Sequence, residues 1–229
     1  MPKTIDYYHF VISPWSYLAI GRFNEIVGRH GATVNYKPID VMSTFLDMGG
    51  TPLPKRHPAR LRYRMDELKR WSSFLGVPMN LQPAHFPADA ALASRMVLAA
   101  GNLDLDAGTL SDAVLTAVWA GEENIADPGT LVALADRCGL DGAGLLATAE
   151  TDSLGEQFTA VTTEAHAADV FGSPTYVVDG EIFWARTGWN SSTGRSPPDP
   201  WMRRRSRRLA RAQGRSRVQP VVSRPSRAS

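Results

Sequence analysis

Two serine-containing segments about 160 residues apart carry the groups in this chain best suited to hold an anion. The first is Ser13-Pro14-Trp15-Ser16, which follows the apolar stretch Tyr7–Ile12. Serine is a good N-cap and proline is tolerated at a helix's first position, so a helix should open here. A helix start offers unpaired N–H donors and a positive dipole end, both of which favour a nearby anion. A cap hydroxyl can donate one more hydrogen bond. A free thiol has a pKa near 8.5, and lowering it by one unit takes only about 1.4 kcal/mol. Ser13 is therefore a candidate activator of a thiol, with a plain capping role as the alternative. Ser16 is the weaker candidate, expected to pack or cap within the first turn. The second segment is Phe171-Gly172-Ser173-Pro174-Thr175, which leads into Tyr176-Val177-Val178-Asp179-Gly180.

Other reactive side chains are sparse. The lone cysteine, Cys138, excludes an internal disulfide and any cysteine-rich metal site. It ends a helical pattern before Gly139 and reads as a small buried hydrophobe. His9 alternates with Tyr8 and Phe10 on the first strand and should pack near the site, whereas His30 and His166 read as helix-surface residues. Five scattered histidines without metal-ligand spacing give no reason to expect a metal. Lys55, Arg56 and His57, with Arg60 just beyond, form either a receptor for an anion or a solvated basic face. His85, in Pro83-Ala84-His85-Phe86-Pro87, is placed to line a pocket.

The elements that must position these groups follow from periodicity. Residues 4–11 alternate and are rich in Ile, Tyr, Phe and Val, as a strand should be. Apolar residues from Pro14 to Arg29 fall at helical spacing, and Ala32–Pro38 reads as a second strand. Such a strand–helix–strand unit is right-handed almost by default. A short helix is expected at Val41–Asp47. A long one follows at Pro58–Leu75, with Tyr63, Leu68, Trp71 and Leu75 on one side. Further helices are expected near 89–100, 107–120, 129–138, 142–149 and 153–169, then strands at 174–178 and 181–184 joined by an Asp179-Gly180 turn. The reading is an α/β, thioredoxin-like fold, residues 1–40 and 170–185, interrupted by a large all-helical insertion, residues 41–169.

The chain has 229 residues, 43% of them apolar. That suffices for one well-packed domain or a domain with a large insertion. No apolar run is long enough to span a membrane, and the start lacks a signal peptide's apolar core, so a cytoplasmic location is expected. The net charge of +2 hides an asymmetry. Residues 186–229 hold twelve arginines, no lysine and one acid, giving +11 and leaving −9 for residues 1–185. Such a tail suggests nucleic-acid binding, but without aromatic interleaving or a recognised motif the signal is unspecific.

Three segments in order, SPWSYLA, KRHPARLRYRMDELKRW and FGSPTYVVDGEIFW, resemble the 2-hydroxychromene-2-carboxylate isomerases and, more distantly, the kappa-class glutathione transferases. The likeness covers residues 4–184. Ser13 and Ser16 stand where thioredoxin-like redox proteins carry Cys-x-x-Cys, so dithiol chemistry is absent and an external thiol is implied. The resemblance implies glutathione as cofactor, Ser13 activating its thiol, a cis Ser173–Pro174 bond and the Ser173 backbone pairing with the cysteinyl part. It implies reversible thiolate addition to an unsaturated 2-oxo acid, with bond rotation and expulsion interconverting 2-hydroxychromene-2-carboxylate and trans-o-hydroxybenzylidenepyruvate. Arg60 stands where the family has a lysine and would bind a carboxylate. Gly50 replaces an asparagine and cannot supply its contact. Trp15, Lys55, Arg56 and His85 are the substrate-facing candidates. Similar proteins are often dimers. Competing readings are a kappa-like transferase that consumes thiol and an inactive thioredoxin-fold binding protein.

After Phe183-Trp184 the family continues with Gly-x-Asp-Arg-Leu and a closing helix, but here the chain reads Ala185-Arg186-Thr187-Gly188-Trp189. A one-base shift can turn Thr187–Thr193 into Asp-Arg-Leu-Glu-(Phe or Leu)-Val-Asp, so a frameshift near codon 185 is the expected origin of the tail. In the family that lost aspartate helps hold the glutamyl end of glutathione. Residues 190–229 are expected to be disordered.

Overall fold

The structure, a computed structural model, describes residues 3–184. The expectations about residues 186–229, disorder and a shifted reading frame, lie outside the described residues.

Strand β1 (Thr4–His9) runs parallel to β2 (Thr33–Pro38) and antiparallel to β3 (Thr175–Val178), which pairs with β4 (Glu181–Trp184). The spatial order is β2-β1-β3-β4. Register places Tyr7 opposite both Tyr36 and Tyr176. Because strand side chains alternate, Ile5, Tyr7 and His9 share one face while Tyr8 and Phe10 share the other. On the first face Tyr7 stacks on Tyr176 at 4.9 Å and on His9 at 4.3 Å, and Phe23 tilts against both tyrosines. Aromatic pairs of this kind contribute roughly 0.5–1.5 kcal/mol each beyond area burial. The Asp179-Gly180 turn has positive φ at both residues, as a two-residue hairpin of type I′ requires.

The expected helix 14–29 is divided. Pro14–Tyr17 forms α1 and Ile20–His30 forms α2, with the join at Leu18-Ala19. The apolar spacing could not reveal this break, since both halves keep the same periodicity. Helix α3 is Val41–Asp47 and α4 is Pro58–Leu75, as expected. Helices α5 (Ala91–Asn102), α6 (Ala107–Trp119), α7 (Pro128–Arg137), α8 (Gly142–Ala149) and α9 (Asp152–Ala167) complete the helical block. The starts of α6 to α9 are sharp because side-chain caps fix them. Asp106 accepts from Thr109 N–H at 2.8 Å, Asp127 from Thr130 at 2.7 Å and Asp141 from Gly144 at 3.0 Å.

Helix α4 is less buried than its pattern implies. Leu68 is fully buried and Trp71 and Leu75 partly so, but Tyr63 is 59% exposed. On the face of the sheet that carries Tyr8, Lys37 binds Glu164 of α9 at 2.7 Å and Asp6 at 3.3 Å, while Tyr8 donates to the same Glu164. His166, expected on a helix surface, is half-buried and meets Thr44 Oγ1 at 3.2 Å, docking α9 on α3. Cys138 is half-buried rather than buried, and partial burial raises its thiol pKa, which keeps it protonated.

Candidate active site

The end of β1 turns sharply into α1, where Ser13 N–H donates to Phe10 carbonyl at 2.9 Å. Ser13 is extended (φ −75°, ψ 123°), and its Oγ accepts from Ser16 N–H at 3.2 Å. This is an N-cap, and a hydroxyl that accepts one bond keeps its own proton to donate. The expected capping role is thus real, and it leaves the donor free for a second one. The Ser173–Pro174 bond is cis, as the resemblance implies. Ser173 Oγ accepts from Phe10 N–H at 2.8 Å and lies 2.8 Å from Ser16 Oγ. Two segments far apart in sequence therefore meet in one buried network, with Ser13 5% exposed, Ser16 fully buried and Ser173 8% exposed.

The network continues beneath the corner. The buried Tyr7 hydroxyl bonds to Ser16, and its pKa is raised by burial. His9 is fully buried, and burial lowers its pKa to about 4, so the ring is neutral at pH 7. Its Nδ1 faces the Tyr7 carbonyl at 3.3 Å and must donate there. Nε2 then accepts from the Ser111 hydroxyl at 2.7 Å. His9 supports the corner from below and is not placed to exchange protons with solvent.

Aromatic rings wall the corner. Trp119 Nε1 donates to the carbonyl of Ile12, next to Ser13, at 3.2 Å, and Phe86 packs on Trp119 at 4.8 Å. Phe45 meets Phe10 edge-to-face at 5.6 Å. A basic layer lies outside these rings. Arg56 sits 5.5 Å from the Phe45 ring and donates to Thr51 carbonyl at 2.6 Å, and Arg64 sits 5.9 Å from Phe86. A Cβ at Gly50 would stand 2.6 Å from the Phe45 ring, so this ring fills the space an asparagine side chain would need.

The sequence-derived candidates divide accordingly. Ser13, Ser173 and Pro174 come together, with Trp15 half-buried in the same turn. Lys55 and Arg60 are exposed, and Arg60 lies close enough to Arg56 to depress its pKa after burial has done so. His57 caps α4, its Nδ1 accepting from Ala59 N–H at 3.2 Å, and so is spent structurally. His85 is exposed beside Phe86. No hydrogen bond among the described residues links Lys55, Arg60 or His85 to the serine network. Phe45, Phe86, Trp119 and Arg64 went unforeseen. Only Arg64 left a signal, one helical turn beyond Arg60.

Two concavities frame the region. One of about 150 Å³ lies against Phe10–Ile12, Val41, Ala90 and Phe158, directly behind the strand end. That is below the roughly 300 Å³ at which ligand clefts begin. Another, of about 570 Å³, lies at the opposite end of the strands around Lys3, Asn35 and Asp179, remote from the corner.

Comparison with known proteins agrees with this architecture. The family model described as DSBA-like thioredoxin domain matches residues 4–192. A 2-hydroxychromene-2-carboxylate isomerase of Sphingobium xenophagum is 29% identical over 186 residues, 80% of this chain and 93% of that protein. Human glutathione S-transferase kappa 1 is 26% identical over 200 residues, 79% of this chain and 84% of that protein. A solved 2-hydroxychromene-2-carboxylate isomerase superposes with a TM-score of 0.70 at 23% identity, covering 92% of this chain and 98% of that one, and so shares the fold.

Proposed function

The chain belongs to the DSBA-like thioredoxin family, and we propose that within it the chain is a glutathione-dependent isomerase. The reaction interconverts 2-hydroxychromene-2-carboxylate and trans-o-hydroxybenzylidenepyruvate, or a related unsaturated 2-oxo acid. One observation carries the reading. The corner that holds a dithiol in redox relatives here holds two serines, one tied into the cis-proline loop and the other keeping a hydroxyl proton to donate. Relatives named as this isomerase support it. No described helix is long and apolar enough to cross a membrane. A cytoplasmic, homodimeric protein goes with this reading.

The residues fit a thiol-bearing peptide. Ser13 offers a donor, and among the described residues the Ser173 backbone N–H and carbonyl take no backbone hydrogen bond, leaving one donor and one acceptor for a guest. Ser13, Ser173 and Pro174 would hold the cysteinyl part, and Arg60 a terminal carboxylate. When bound, glutathione supplies a nucleophile that can add to a conjugated carbon and leave again. Ser13 keeps that sulfur anionic by donating its hydroxyl proton into a hydrogen bond. Ser16 and Ser173 fix the corner so that Ser13 does not reorganise, which is where such stabilisation gains its size. Phe45, Phe86 and Trp119 exclude water and orient the substrate.

Incubating the chain with trans-o-hydroxybenzylidenepyruvate and glutathione tests this. Absorbance change with constant free thiol is expected. Thiol consumption would favour the kappa-like transferase, which the human relative supports. No glutathione-dependent change of either kind would leave the inactive binding protein.

A further inference from the structure

Arg56, Arg60 and Arg64 follow one another at four-residue intervals, and Arg56 lies near enough to both others for its charge or theirs to be felt. Arg60 and Arg64 share α4, where like charges four residues apart oppose folding by a few tenths of a kcal/mol. Elsewhere the described basic residues often find carboxylates: Arg70 pairs with Glu67, Arg137 with Glu123 and Lys37 with Glu164. None of these three arginines has an ion pair among the described residues. Arg64 is the telling member. It is half-buried, its pKa is lowered to about 10 by burial and then by Arg56, and its near partners are Met65 sulfur at 3.8 Å and the Phe86 ring. Holding a desolvated guanidinium without a counter-charge is costly.

Arg56 and Arg64 are each linked to the corner through a pair of aromatic rings. Arg64 reaches it through Phe86, Trp119 and the Ile12 carbonyl, and Arg56 through Phe45 and Phe10. Guanidinium groups bind carboxylates in a planar, two-pronged manner, and the rings beside them suit a flat apolar body.

We infer that Arg64, together with Arg56, is the receptor for the carboxylate of the aromatic 2-oxo acid, whose ring lies along Phe45 and Phe86 toward Ser13. The inference rests on the isomerase reading and names the residues that choose an anionic substrate. Arg60, more exposed, is left to the cofactor's carboxylate.

The test compares parent, R64Q and R64K on trans-o-hydroxybenzylidenepyruvate and on its methyl ester, at saturating glutathione. A charge-assisted bidentate pair is worth about 10- to 100-fold in affinity, so R64Q should raise KM for the acid by that factor. The ester should be handled alike by parent and variant. R64K, which keeps the charge and most of the stem, should raise KM by less and guards against a folding failure in R64Q. Calorimetric titration with glutathione should give the same affinity in R64K as in the parent. An unchanged KM in both variants would overturn the inference, as would an equal penalty on the ester. Lost glutathione affinity would also overturn it by assigning Arg64 to the cofactor. Should the parent bind glutathione yet turn nothing over, the isomerase reading fails instead. Binding of the acid then still decides the role of Arg64, by whether R64K weakens it while sparing the ester.

Discussion

Ser13 does two jobs with one oxygen: it caps α1 through its lone pair and keeps its proton for a guest. Replacing it with alanine should cost about 1 kcal/mol of stability through the lost cap, readable as a small shift in denaturation midpoint. The loss in kcat should be far larger, on the order of 100- to 1,000-fold, as for removal of a preorganised donor. Equal losses in both quantities would reduce Ser13 to a cap. Ser173→Ala should carry a larger cost in stability. It strips a partner from Phe10 N–H and from Ser16 Oγ, both buried, and should cost roughly 1–3 kcal/mol in a denaturant titration. Gly50 is a third case. Placing asparagine there, as in the resembled family, should lower stability and leave glutathione affinity no better, because the Phe45 ring stands 2.6 Å from the new Cβ. Improved affinity by calorimetry would contradict that steric account.

Helix α6 joins the site to the sheet through two titrating groups of opposite effect. Ser111 serves the neutral His9, while Asp112 accepts from Asn24 at 2.7 Å and has its carboxyl raised to about 6 by burial. His9 has a lower pKa folded than unfolded. Its contribution is therefore complete above about pH 6.5 and drains as pH falls toward 4. Asp112 has a higher pKa folded than unfolded. Its contribution is complete below pH 3.8 and is lost as pH rises through 6. Between pH 4 and 6 the two slopes oppose each other. Asp112→Asn removes one of them, so denaturation midpoints of the variant should climb more steeply with pH across this window. A slope identical to the parent's would contradict the assignment. Element boundaries were mostly legible, because Asp and Thr caps mark the starts of α6 to α9 and apolar periodicity marks their faces. The Leu18-Ala19 break and the exposure of Tyr63 were not, since both depend on what packs against the helix.

For the molecule as a whole, the corner of Ser13, Ser173 and Pro174 could be read in advance because its residue types and order are distinctive. Its aromatic walls could not: Phe45, Phe86 and Trp119 lie in separate segments whose phenyl and indole groups look like any core. Arg64 is one of many charges on α4, marked in the sequence only by standing one turn beyond Arg60, and its partial burial is what singles it out in the structure. If the tail arose from a one-base shift near codon 185, a chain with that shift reversed should carry the family's closing helix, which buries three or four apolar side chains. At about 1.5–3 kcal/mol each, that amounts to roughly 5–10 kcal/mol, and a much higher melting temperature is expected. An unchanged melting temperature would dispose of the frameshift account. The central claim is that an external sulfur is made anionic at residue 13, and ultraviolet titration of the glutathione thiolate on the protein addresses it most directly. Bound to the parent, the thiol should titrate at least about one unit below its usual 8.5, and on Ser13→Ala it should return most of the way. Identical titrations on the two proteins, or no protein-dependent thiolate signal at saturating glutathione, would contradict the account.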